Sequence, residues 1–205
     1  AAIKVMPLGD SITAESHSWR CAVYTQLRAA GKNVVFVGSE TDQYDSCASK
    51  HDGHPGFTIE NISDNMTGWL TANQPDLVLL MAGTNDLAWW TTENGTQIAD
   101  RQNALITRIQ QILPNVKIVV ETIPPQSSQL IAPNNVDRAI LTQQYNTRLR
   151  TLVQARVDIG QRVRLADVNV VLTLSDLRDG IHPTTTAGID KMTPVIFNAA
   201  NLLLN

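Results

Sequence analysis

Short apolar runs alternate along the chain with longer stretches in which apolar side chains recur every three or four positions. Five runs, IKVM (3–6), VVFVG (34–38), DLVLLMAG (76–83), KIVVET (117–122) and RVRLADV (162–168), are short and rich in β-branched residues, and the middle ones are apolar throughout. That pattern predicts strands covered on both faces. Between them Ile98, Leu105, Ile106, Ile109, Ile112 and Leu113 trace one helical face, and Val136, Ile140, Leu149, Leu152 and Val153 trace a more interrupted one. A further helix is expected from about Ser18, stopped by Gly31. Pro114 ends the long helix, and IPPQSSQLIAPNN makes a proline-rich loop after the fourth strand.

Strands alternating with helices predict a three-layer α/β/α domain of flavodoxin-like type built on a five-stranded parallel sheet, with residues 1–205 as a single domain. Ligands of such sheets collect at the carboxyl ends of the strands, so the residues that leave each strand carry the functional signal.

After the first strand come Gly9, Asp10 and Ser11. Glycine permits a sharp turn, and the serine hydroxyl then points outward at a helix entrance; the plainer reading is a helix-capping Ser or Asp. After the third strand Asn85 leaves at the same edge, offering two uncharged N–H donors, or else serving only as a turn residue. After the fifth, Asp179 and His182 stand three apart on a turn containing Gly180 and closed by Pro183, with a helix expected to begin in the threonines that follow. That spacing can bring a carboxylate to one imidazole nitrogen while the other faces outward, as a general base requires. A hydroxyl, an amide and an Asp–His pair therefore converge on one sheet edge. A Gly-x-Ser-x-Gly elbow and a glycine-rich phosphate cradle are both missing from the chain, which argues against the other large α/β esterase family and against nucleotide binding.

Composition narrows the partners. A net charge of −3, without any cluster of Lys or Arg, argues against nucleic acid or an anionic membrane surface, and no apolar run approaches the roughly 20 residues of a membrane span. The expected state is a monomer. Cys21 and Cys47 are the only cysteines; a bridge between them would close a loop of about 26 residues and contribute roughly 3–4 kcal/mol, the alternative being two unrelated thiols. The opening AAIKV enters directly on a core strand, as in a trimmed mature protein or an excised catalytic domain, and says nothing about compartment; the expectation of secretion rests on the cysteine pair and on three Asn-x-Ser/Thr sequons (Asn61, Asn65, Asn94).

The segments PLGDSIT, GHPGFTI, MAGTNDL and DGIHPT resemble the four sequence blocks of the SGNH, or GDSL-type, hydrolases, in that family's order and over nearly the whole chain. The resemblance implies a nucleophile at Ser11, a base at His182 and its partner at Asp179. It further implies an oxyanion hole from the backbone N–H groups of Ser11 and Gly56 and the side chain of Asn85. Gly53 competes for the glycine position; Gly56 is preferred because it precedes FTI, where a helix begins. Asp10 is expected to order the turn.

The fuller wording KVMPLGDSIT, GHPGFTI and DGIHPTTTAGIDKM is most similar to carbohydrate esterase family 3, the secreted acetyl xylan esterases, and implies release of acetate from acetylated xylan without cofactor or metal. One departure is Ile189, where the family pattern has an aromatic residue. Trp89 and Trp90, just after Asn85, are candidates to stack on a sugar ring. His51 and His54 lack a zinc-type motif. Glu40, Asp42 and Asp45 offer oxygen ligands suited to calcium, a solvated loop being the simpler reading. Competing readings are a lipid esterase, thioesterase or lysophospholipase on the same fold, and a non-catalytic carbohydrate-binding module with an inert Ser11.

Overall fold

A computed structural model describes residues 1–90, 92–132 and 135–205, apart from the side chains of Trp89 and Trp90. The strands are β1 (Ile3–Gly9), β2 (Val34–Phe36), β3 (Glu40–Thr41), β4 (Lys50–Gly53), β5 (Leu77–Met81), β6 (Lys117–Glu121) and β7 (Val163–Ala166). The helices are α1 (Ser11–Ala14), α2 (Trp19–Ala29), α3 (Ile59–Asn73), α4 (Gly95–Ile112), α5 (Arg138–Asp158) and α6 (Ala187–Leu203). A π-helical turn spans Asp86–Trp90.

Strands β2, β1, β5, β6 and β7 lie side by side and parallel, the five expected strands in flavodoxin-like order. Helix α2 packs on α6, while α3 and α5 both pack on α4. Every residue of β5 is buried, which explains its uninterrupted apolar run. Helix starts follow local chemistry: Ser18 caps α2, Asp137 caps α5, and Thr58 with Asn61 and Asn94 with Gln97 form reciprocal boxes at α3 and α4. Of the three sequon asparagines, two thus serve as helix-capping groups.

The sheet is larger than five strands. Strand β4 pairs in parallel with the end of β1 (Leu8 with Asp52, Gly9 with Gly53), and β3 pairs antiparallel with β4. Their sequences, ET and KHDG, carry no apolar run, because the pairing rests on backbone bonds and on buried polar side chains. Strand β1 also runs past Met6 to Gly9 through a proline. The Val5 carbonyl accepts from Val37 and the Gly9 carbonyl from His54, so residue 7 turns its nitrogen to that same edge. There β2 has ended and β4 has not begun. Pro7 therefore leaves no ladder bond unmade on that edge.

Candidate active site

Strand order reverses between β1 and β5, and the carboxyl ends of these two strands deliver Ser11 and Asn85. A Cβ on Gly9 would collide with the Met81 carbonyl oxygen, so only glycine lets the two strands close up where the chain turns. Asp10 caps α1, accepting from the Ile12 N–H at 3.0 Å. The capping role thus falls to the aspartate, and the hydroxyl of Ser11 has another partner. Burial drives the Asp10 carboxyl up to about 7 against the opposing pull of the Ile12 N–H, the Thr84 hydroxyl and His182.

That partner is His182, whose Nε2 lies 2.9 Å from Ser11 Oγ. Its Nδ1 lies 2.7 Å from Asp179 Oδ2. A carboxylate at Nδ1 selects the tautomer with the proton on that nitrogen, which leaves Nε2 as acceptor for the serine hydroxyl. Asp179 Oδ1 also accepts the backbone N–H groups of Ile181 (3.0 Å) and His182 (2.8 Å). Partial burial pushes the Asp179 carboxyl up, but the bonds from His182 and Ile181 outweigh it and leave it below its ordinary value, ionised at neutral pH.

The turn carrying this pair is closed by the Arg178 N–H donating to the His182 carbonyl at 2.9 Å, with Gly180 in the left-handed region (φ +82°). Lys191 of α6 clamps its base, 2.7 Å from Asp176. Helix α6 begins at Ala187, directly after the threonines.

Asn85 is 8% exposed and donates to the Phe57 carbonyl at 2.9 Å, and among the described residues its second amide N–H has no acceptor. Asp86 takes the Ile59 N–H at 3.0 Å and pairs with Arg101 at 3.1 Å. Consecutive residues after β5 thus grip both ends of the Phe57–Ile59 entry to α3. Gly56 stands just before that entry at φ +81°, and Thr58 caps the helix, so the helix begins at FTI as expected. Gly53 is instead the last residue of β4, paired with Gly9. Tyr145 of α5 fixes the turn below Asn85 by donating to the Ala82 carbonyl at 2.7 Å.

Trp89 and Trp90 belong by backbone to the π-helical turn after Asn85, and their side chains lie outside the described residues. Cys21 and Cys47 form a disulfide with Cα atoms 5.5 Å apart. The acidic segment is not a solvated loop. Asp42 and Asp45 are buried against Arg20, whose Nη2 lies 2.6 Å from Asp42 and 3.6 Å from Asp45. A fully buried guanidinium occupies the position in which a cation would balance these carboxylates, and Glu40 lies exposed on β3. His51 is buried and accepts the Gly53 N–H at 3.0 Å; burial, reinforced by Arg20, lowers it to about 4. His54 stacks on both Phe57 and Trp69, with centroids 4.8 and 4.2 Å away. Both histidines brace the segment that leads to Gly56.

Residues that pattern reading did not single out complete the surroundings. Glu15 Oε1 lies 3.6 Å from His182 Nε2 and is paired with Arg178. Asp86 had a signal in its adjacency to Asn85; Arg20, Arg101 and Tyr145 had none, being ordinary members of amphipathic helices. A hydroxyl hydrogen-bonded to an imidazole, itself oriented by an ionised carboxylate, can act as a nucleophile on an ester carbonyl.

The chain is 30% identical over 219 residues to a multidomain esterase of Ruminococcus flavefaciens, covering 93% of this chain and 27% of that protein. It therefore spans about a quarter of that relative's length. Among solved structures, a carbohydrate esterase family 3 protein from Talaromyces cellulolyticus superposes with a TM-score of 0.83 at 30% identity, over 98% of both chains. An acetyl esterase mutant with a bound acetate ion superposes with a TM-score of 0.83 at 29% identity, over 98% of both chains. A family model described as GDSL-like Lipase/Acylhydrolase matches residues 8–187, and the chain belongs to that family.

Proposed function

We propose that the chain is a serine esterase that removes O-acetyl groups from acetylated xylan or related acetylated sugars, with residues 1–205 as one catalytic domain. The observation that carries this reading is the continuous contact from Ser11 Oγ through the His182 ring to Asp179. Ser11 Oγ attacks the acetyl carbonyl while His182 Nε2 takes the hydroxyl proton, and the tetrahedral oxyanion forms against the N–H groups of Ser11 and Gly56 and the spare amide N–H of Asn85. The C–O bond to the sugar breaks, the imidazolium returns the proton to the departing alkoxide, and an acetyl-enzyme remains. Water, deprotonated by the same imidazole, then releases acetate. Asp179 stabilises the imidazolium at each stage, and Trp89 or Trp90 stacks on the sugar.

Likeness to a carbohydrate esterase family 3 protein and to an acetyl esterase holding acetate supports the small acyl group and the sugar. The Cys21–Cys47 bridge supports action in an oxidising, extracellular setting. The test is acetate release from acetylated xylan beside nitrophenyl esters of increasing acyl length. Acetate release with rates falling from acetyl to octanoyl is the expected result. Rates rising toward octanoyl assign a lipid esterase, and a Ser11 that fluorophosphonates leave unlabelled assigns a binding module.

A further inference from the structure

Glu15 stands one residue beyond α1, with its backbone held at both ends. Its N–H donates to the Ser11 carbonyl at 2.9 Å, and its carbonyl accepts from the buried guanidinium of Arg20 at 3.2 Å. The main chain is thereby fixed to the nucleophile, and the side chain is delivered to the base. Its carboxylate, a quarter exposed, lies 3.6 Å from Nε2 of His182, on the side away from Asp179. Arg178, on the turn that carries His182, pairs with the same Oε1.

Two carboxylates therefore flank the ring: Asp179 meets Nδ1 and Glu15 approaches Nε2. Asp10, buried one residue before Ser11, interacts with His182 through charge. Arg178 pairs with Glu15 and lies 3.9 Å from Asp179.

We propose that Glu15 is a positioning residue for the general base, stabilising the imidazolium of His182 from its Nε2 side, with Arg178 holding the carboxylate in place and limiting the charge it imposes. In the resting tautomer Nε2 is an acceptor, and Glu15 has no proton to meet. Once the Ser11 proton arrives, the new N–H⁺ faces a negative charge as well as the leaving oxygen. Glu15 thus favours the state in which the base is loaded, a differential effect that supports catalysis. This inference rests on His182 being the base.

The test is the pH profile of kcat/KM for nitrophenyl acetate at low salt, whose acid limb reports the free-enzyme imidazole. In Glu15→Gln the limb is expected to move about 0.5–1 pH unit lower, a shift that shrinks in 0.5 M NaCl, with plateau kcat/KM about 3- to 10-fold lower. In Arg178→Gln, which leaves α1 untouched, the limb moves the opposite way. Superimposable limbs, or shifts of one sign in both variants, overturn the inference while an inactive His182→Ala keeps the base assignment. Wild-type activity in His182→Ala overturns the base assignment itself and this inference with it.

Discussion

Ser11 Oγ and His182 Nε2 lie 2.9 Å apart although 171 residues separate them in the chain. The contact is made by two turns, one at the end of β1 and one beyond β7. With Ser11 as the proposed nucleophile, replacing it by Ala should lower kcat for nitrophenyl acetate by on the order of 10⁶. The unfolding transition should stay near wild type, since Asp10 and not Ser11 caps α1. Steady-state kinetics with a urea titration check both halves.

Asn85 spends one amide N–H on the Phe57 carbonyl, the one side-chain bond it makes among the described residues. On the proposed oxyanion role, Asn85→Ala should lower kcat roughly 10²- to 10³-fold with KM little changed, since the bond to the oxyanion would form only in the transition state. Asn85→Asp should be as slow, since a carboxylate would repel the oxyanion. A rise in KM alone would assign Asn85 to ground-state binding.

Glu121, at the end of β6, is fully buried, and burial, with Asp10 adding to it, holds its carboxyl well above the ordinary range. Asp10 is raised to about 7 by the same cause. A raised carboxyl binds its proton more tightly in the folded state, so its contribution is complete below the unfolded value near 4 and is lost as pH rises. Stability should therefore decline from pH 4 to about 7 through Asp10, and further through Glu121. Glu121→Met should stabilise the fold at both pH 4 and pH 8, because among the described residues neither carboxyl oxygen has a hydrogen-bond partner, and by more at pH 8, where relief from ionisation adds to the gain. Urea denaturation at the two pH values decides; equal gains would exonerate ionisation.

Arg20 is fully buried with Asp42 at 2.6 Å and Asp45 at 3.6 Å. Removing the cation strands two buried carboxylates, so Arg20→Met should cost about 3–5 kcal/mol at pH 7. The loss should shrink in acid, where the carboxylates take up protons. Denaturation at pH 7 and pH 4 measures it.

Much of this was legible before any coordinates. The five parallel strands announced themselves through hydrophobicity, since a strand covered on both faces can carry little else. Ser11, Asn85, Asp179 and His182 were legible because they leave strands at one edge, and the structure brings Ser11, His182 and Asp179 into contact with Asn85 beside them at the next strand end. Strand β3 escaped because its two residues are polar and exposed, and β4 because its burial is polar: Asp52 and His51 sit inside through hydrogen bonds, which no periodicity records. Arg20 escaped for the same reason, and the acidic segment it neutralises looked like a solvated loop. Glu15 was unreadable, since its meaning depends on a partner 167 positions away.

The edge of β1 is split, with β2 on its first half and β4 on its second, and β5 spans the join. The segment between those two pairings is moored from several sides: by the Val37 N–H on the Val5 carbonyl, by Asp42 and Asp45 on the buried Arg20, and by the bridge from Cys47 to α2. Arg20 also holds the Glu15 carbonyl, so a disturbance of that segment is passed to the turn from which Ser11 emerges.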